Sequence, residues 1–298
     1  MSVILVFLDG VGLGNPDQCN PFFTSGLPRL EAVMNQKLLH DININEHGIM
    51  IKGVDACLGV PGLPQSATGQ TSLLTGKNAS QYLGYHLPAF PDNKLVALIN
   101  EYSILKQIKN AGYRGIFVNA YTESYFERVA SGNRKHSVTT HCMLAADLPF
   151  FMIGDLLNNQ AVYWDITREY LVSNGGTDKT ILPEEAGLHL ASIAKNYEFV
   201  LYESFATDLI GHNTDLEQAE SLLLRIDSFL HSLITNMDTS STMIVCSDHG
   251  NIEDCSVSSH TSNPVPLIAI GKDARQFSTI ESIDQVTPAI IKVVRGLS

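Results

Sequence analysis

The chain has 298 residues, of which 44% are hydrophobic and 17% charged, an ordinary globular composition with ample length for a full core. Its formal net charge of −12 argues against a nucleic-acid backbone as the main partner, although bound divalent ions would reverse the sign locally. Five cysteines, odd in number and without a CxxC pair, suggest a reducing compartment with no disulfide framework.

The opening residues carry no basic segment and only a short apolar run, so they read as a strand and not a signal peptide. No stretch is long enough to span a membrane, and a cytoplasmic location is expected. The strand, Val3 to Leu8, is apolar throughout, as a central strand covered on both faces should be. It ends in Asp9-Gly10-Val11-Gly12, where the aspartate either caps a turn or begins a site. Leu27 to Leu39 has helical spacing.

Between Pro61 and Gly76, two prolines precede small hydroxyl residues at the start of an expected helix. Ser66 or Thr68 there could simply cap the helix. The same geometry suits a phosphoryl group, because a helix N-terminus favours an anion. Serine is a poor nucleophile without help, and no general base adjoins Ser66 in sequence, so a metal ion would have to activate it. Asn93 to Asn110 then reads as a helix and Gly115 to Val118 as a strand, continuing a doubly wound α/β pattern in which Ile116 to Val118 is expected to be a central strand.

From about residue 121 to 183 the pattern changes. Arg128, Arg134, Lys135, His136 and His141 crowd together, and Asn174-Gly175-Gly176 marks a loop. This stretch is expected to be a small, lid-like insertion over the strand ends, its basic residues either solvated or facing an anionic substrate. A helix follows at Glu184 to Asn196, and a strand at Phe199 to Tyr202. Asp208 and His212, four residues apart, fall on one face of a helical turn, an arrangement suited to chelation. Glu217 to Ile234 forms a long amphipathic helix.

The stretch from Met243 to Pro266 holds the densest chemistry. Met243 to Cys246 is a buried-strand pattern that stops at Ser247-Asp248-His249-Gly250. His260 follows eleven residues after His249, ahead of a second apolar run from Pro264 to Ile270. Aspartate and histidine at strand ends are ligands for Zn²⁺ or Mn²⁺. Ile283 to Val294 closes the chain as a helix. The fold expected is α/β, doubly wound, with a mostly parallel sheet, helices on both faces and one domain over residues 1–298.

Taken together, Asp9, Ser66, the Asp208–His212 pair and the trio Asp248, His249 and His260 resemble the alkaline phosphatase superfamily. The resemblance is to its metalloenzyme branch, which contains cofactor-independent phosphoglycerate mutase and phosphopentomutase. It covers the beginning and last third of the chain and is weak over 121–183. The resemblance implies two divalent ions, manganese or zinc first and magnesium as the alternative. Asp208, His212 and His260 would hold one ion; Asp9, Asp248 and His249 would hold the other, with Ser66 beside or on it. Ser66 would attack phosphorus as the catalytic nucleophile, with Thr68 the other candidate. Gln70 stands where the branch has a histidine, which leaves the surroundings of the ligands open.

The resemblance also frames the reaction. Mutases of this branch carry large caps that keep water from the phosphorylated enzyme. Here only 121–183 could serve, which favours hydrolysis of a small phosphorylated metabolite over a mutase. A non-catalytic metal-binding protein is the third reading, though metal binding alone needs no nucleophile. The resemblance argues against a sulfatase, because the C/S-x-P-x-R pattern of that branch is absent. No membrane partner is expected, and the sequence leaves substrate and oligomeric state open.

Overall fold

A computed structural model describes residues 1–46 and 48–297. Among them run nine strands: β1 (Val3–Leu8), β2 (Asn43–Glu46), β3 (Ile49–Val54), β4 (Gly115–Phe117), β5 (Ala120–Tyr121), β6 (Phe151–Met152), β7 (Phe199–Ser204), β8 (Thr242–Cys246) and β9 (Val265–Gly271). Seven form one sheet in the order β2-β3-β9-β8-β1-β7-β4, while β5 and β6 pair separately. β1 lies between β7 and β8 and is parallel to both, and β4 is parallel to β7. β9 runs antiparallel to β8 and β3, and β2 antiparallel to β3. Five strands of the sheet therefore share one direction, giving the mixed, mostly parallel α/β architecture that the alternating pattern predicts.

Every residue of β1, β7 and β8 is buried, so both faces of the sheet centre must be covered. Neighbours on β7 show how. The Tyr202 ring meets Phe229 of the long helix Leu216–Asn236 with centroids 5.1 Å apart. Its neighbour Glu203 points to the other face and accepts a hydrogen bond from Thr139 of the helix Val138–Ala146.

Three elements differ from the sequence reading. β4 is an edge strand, not a central one, because its other side pairs with nothing in the sheet. The helix expected over 93–110 is two helices, Asn93–Tyr102 and Ile104–Asn110. Ser103 between them takes an extended ψ of 133° and caps the second through its side chain, which accepts from Lys106 N. The β2–β3 hairpin had no counterpart in the sequence reading.

Residues 121–183 hold β6 and four helices, Glu123–Ala130, Val138–Ala146, Ile153–Leu157 and Glu169–Ser173. Val138, Cys142 and Met143 join the main core, whereas Leu156, Ala161, Tyr163 and Leu171 form a small cluster with Ala120. Among the described residues no helix is long and apolar enough to cross a membrane.

Candidate metal centre

Four chain segments deliver ligand-type side chains to one edge of the sheet. Asp9 follows β1 directly, its amide donating to Ser204 O at 2.9 Å. Asp208 lies in the short helix Ala206–Gly211 after β7, and His212 is that helix's C-cap. Asp248 and His249 follow β8. His260 precedes β9, and because β9 is antiparallel to β8, its beginning lies beside the end of β8. An antiparallel neighbour thus brings a residue from before a strand to the edge where the parallel strands end.

His249 Nε2 is central. It lies 3.3 Å from Asp9 Oδ1, 3.5 Å from Asp248 Oδ2 and 3.1 Å from the Ser66 hydroxyl oxygen. His260 Nε2 is 3.6 Å from Asp208 Oδ1, and His212 Nε2 is 3.4 Å from Asp208 Oδ2. The His249 and His260 rings stack with centroids 3.7 Å apart. All seven residues singled out in the sequence therefore come together. Two groups have ligand atoms within 4.8 Å of one another: Asp208, His249 and His260, and Asp9, Asp248 and His249. His212 reaches Asp208 from the solvent side, with 43% of its side chain exposed.

Hydrogen bonding fixes which histidine atoms face inward. Nδ1 of His212 lies 2.7 Å from Ser258 O, that of His260 2.9 Å from Pro64 O, and that of His249 3.3 Å from Gly250 O. A carbonyl only accepts, so each Nδ1 carries a proton, and Nε2 is the atom turned toward the carboxylate oxygens. In a neutral ring that places lone pair against lone pair, so either a second proton on the ring or a cation must lie between them. Asp9 Oδ1 and Asp248 Oδ2 are also buried without a hydrogen-bond partner. Burial and the charge of Asp9 push the Asp248 carboxyl well above the usual range. Burial lowers the His249 pKa, but Asp248, Asp9 and Asp208 outweigh it and raise it to about 10. The pocket holds an excess of negative charge that divalent cations would balance, and its imidazole and carboxylate donors fit such ions.

Ser66 is the first residue of the helix Ser66–Thr75, half-buried, with its hydroxyl against His249. Gln65, not Ser66 or Thr68, occupies the cap position, and it makes no side-chain cap bond. The Thr68 hydroxyl is fully buried, donating to Gln65 O at 3.1 Å and accepting from Leu87 N at 3.3 Å.

Three neighbours of the ligands were not singled out for these contacts. Gln70 Nε2 donates to Asp9 Oδ2 at 3.0 Å, which gives a role to the residue standing where a histidine is usual. Asn251 Nδ2 donates to Asp208 Oδ1 at 2.7 Å. Glu203 is buried, accepts from the Thr139 hydroxyl at 2.8 Å, and is raised to about 8 by burial and the nearby charge of Asp9. The signal for Glu203 was present: a charged residue inside a strand pattern that is otherwise apolar.

A mixed α/β sheet whose edge gathers aspartates, histidines and one serine around an uncompensated pocket defines a metal-dependent enzyme scaffold. The chain belongs to the Metalloenzyme superfamily, whose profile matches residues 1–295. It is 31% identical over 113 residues to the 2,3-bisphosphoglycerate-independent phosphoglycerate mutase of Desulforudis audaxviator, covering 35% of this chain and 22% of that protein. The chain thus spans about a fifth of the length of this relative. Its fold is that of the alkaline phosphatase from the Antarctic bacterium TAB5, with a TM-score of 0.57 and 15% identity, over 100% of this chain and 99% of that one. The phosphoglycerate mutase of Leishmania mexicana shares the fold with a TM-score of 0.53 and 12% identity, over 98% and 95% of the two chains.

Proposed function

We propose that the chain is a two-metal phosphomonoester hydrolase that acts on a small phosphorylated metabolite through a phosphoserine at Ser66. One observation carries this reading: a half-buried serine hydroxyl lies 3.1 Å from Nε2 of His249, the residue shared by the two clusters of ligand-type side chains. Asp208, His212 and His260 would hold one ion, and Asp9, Asp248 and His249 the other, with Ser66 beside it. Manganese or zinc suits mixed imidazole and carboxylate donors, with magnesium the alternative. Bound there, the ions would lower the pKa of the Ser66 hydroxyl and stabilise charge on the phosphoryl and leaving oxygens.

The chain's own groups do the rest. The Ser66 oxygen, its proton lost to solvent, forms a bond to phosphorus as the ester P–O bond breaks and the leaving oxygen takes up a proton; water later cleaves the phosphoserine, returning a proton to Ser66 and releasing phosphate. With no side-chain cap at Gln65, the amides of Ser66 and Ala67 at the start of the helix would favour a phosphoryl group there, while the Thr68 amide is already donated to Leu87 O. Ser66 is preferred to Thr68 because the Thr68 hydroxyl is fully buried and already bonded on both sides.

A mutase is the second reading, favoured by the sequence likeness to phosphoglycerate mutases. Phosphoryl retention requires water to be kept from the phosphoserine. Residues 121–183 are the candidate cover, and part of that stretch is committed to the main core. The test is a screen of p-nitrophenyl phosphate and small phosphometabolites on protein loaded with Mn²⁺ or Zn²⁺. Free phosphate supports the hydrolase, and isomerised product without phosphate supports the mutase. Neither product from fully loaded protein would leave metal binding without catalysis.

A further inference from the structure

We infer that Glu253 is a positioning residue whose buried carboxylate ties three ligand-bearing loops together and chiefly sets the Asp208–His260 half of the centre. This rests on the ligand assignments above and not on the phosphoryl-transfer reading.

Glu253 is only 1% exposed and lies four residues beyond His249. Its Oε2 accepts the amides of Gly12 at 2.9 Å and Asn251 at 2.7 Å. Its Oε1 accepts Asn263 Nδ2 at 3.0 Å and the Thr261 hydroxyl. These donors come from the loop after β1, the loop after β8 and the approach to β9. Among the described residues no lysine or arginine forms an ion pair with it, so four dipoles balance its charge. The sequence makes room for the carboxylate: a Cβ at Gly12 would lie 2.1 Å from Glu253 Oε1, and one at Gly250 would lie 2.3 Å from it. Any side chain at either position would displace it.

Two of the four bonds lead to the same candidate ion. The Asn251 amide is held by Glu253, and the Asn251 side chain in turn donates to Asp208 Oδ1 at 2.7 Å. Thr261 adjoins His260, whose Nε2 faces the same Asp208 oxygen. Asp9, by contrast, is supported by Ser204 at the end of β7, by Thr207 in the helix Ala206–Gly211 and by Gln70. Loss of Glu253 should therefore loosen Asp208 and His260 more than Asp9 and Asp248.

The test is the metal stoichiometry of Glu253→Gln, in which an amide NH₂ replaces one acceptor and opposes two donors. Elemental analysis and Mn²⁺ titration of wild type should give two ions. The variant should keep one at wild-type affinity and bind the other about 10- to 100-fold more weakly. Thr261→Val removes a single donor and should weaken the same ion less, which keeps the test open if the glutamine variant misfolds. Two ions bound at wild-type affinity in both variants would overturn the inference, as would equal weakening of both ions. A wild-type chain that binds no metal would instead overturn the ligand assignments beneath it.

Discussion

Gln70 donates a 3.0 Å hydrogen bond from Nε2 to Asp9 Oδ2, leaving Asp9 Oδ1 to face His249 Nε2. One carboxylate oxygen is thus anchored while the other is presented to the pocket, as an outer partner would orient Asp9 in its proposed role of metal ligand. Gln70→Leu keeps the volume and removes the donor. Its affinity for the ion proposed near Asp9 should fall about 10- to 100-fold, read by Mn²⁺ titration, and the metal-free protein should also melt at a lower temperature, because the buried Asp9 Oδ2 loses its donor.

Glu203 gives the fold a pH dependence. Burial and the charge of Asp9 raise its carboxyl to about 8, against the Thr139 hydrogen bond, which lowers it. Between the ordinary carboxylate range and about pH 8, the folded chain holds a proton that the unfolded chain has lost. Stability from this group is therefore full at low pH and is lost as pH rises through that window. Melting curves of chelator-treated protein from pH 5 to 9 should show a smaller decline for Glu203→Gln than for wild type. Identical slopes would remove Glu203 from the explanation.

The helix Pro28–Met34 tests the scaffold apart from the site. Its cap residue, Leu27, offers no side-chain bond, but buried Asp227 on the long helix Leu216–Asn236 accepts the amides of Arg29 and Leu30 at 2.9 Å each. Asp227→Ala leaves both donors without their acceptor and should cost about 1–3 kcal/mol. The melting temperature should drop by roughly 2–4 °C per kcal/mol while metal content stays at the wild-type level.

Much of this architecture is legible in the sequence because β1, β7 and β8 are continuous apolar runs that end abruptly in polar residues. A strand covered on both faces has to look that way, and its end has to turn where ligands can converge. The β2–β3 hairpin is harder to read: β2 is four residues long with three exposed, so neither an apolar run nor a clean alternation marks it. The break at Ser103 is masked because apolar periodicity continues on both sides and only a capping serine signals it. The direction of β9 is set by pairing with β8 and β3, which no local pattern encodes. The contacts of Gln70 and Asn251 depend on side chains meeting across loops distant in sequence, so residue type alone did not assign them.

Phosphorylation of Ser66 during turnover is the most direct test of the proposed chemistry. Protein loaded with Mn²⁺ or Zn²⁺, mixed with substrate and quenched within one turnover, should yield a peptide carrying phosphate on Ser66 by mass spectrometry. Ser66→Ala should keep both ions, because the six other proposed ligands remain, and lose turnover by orders of magnitude. Phosphate on Thr68, or undiminished turnover by the alanine variant, would contradict a covalent mechanism at Ser66.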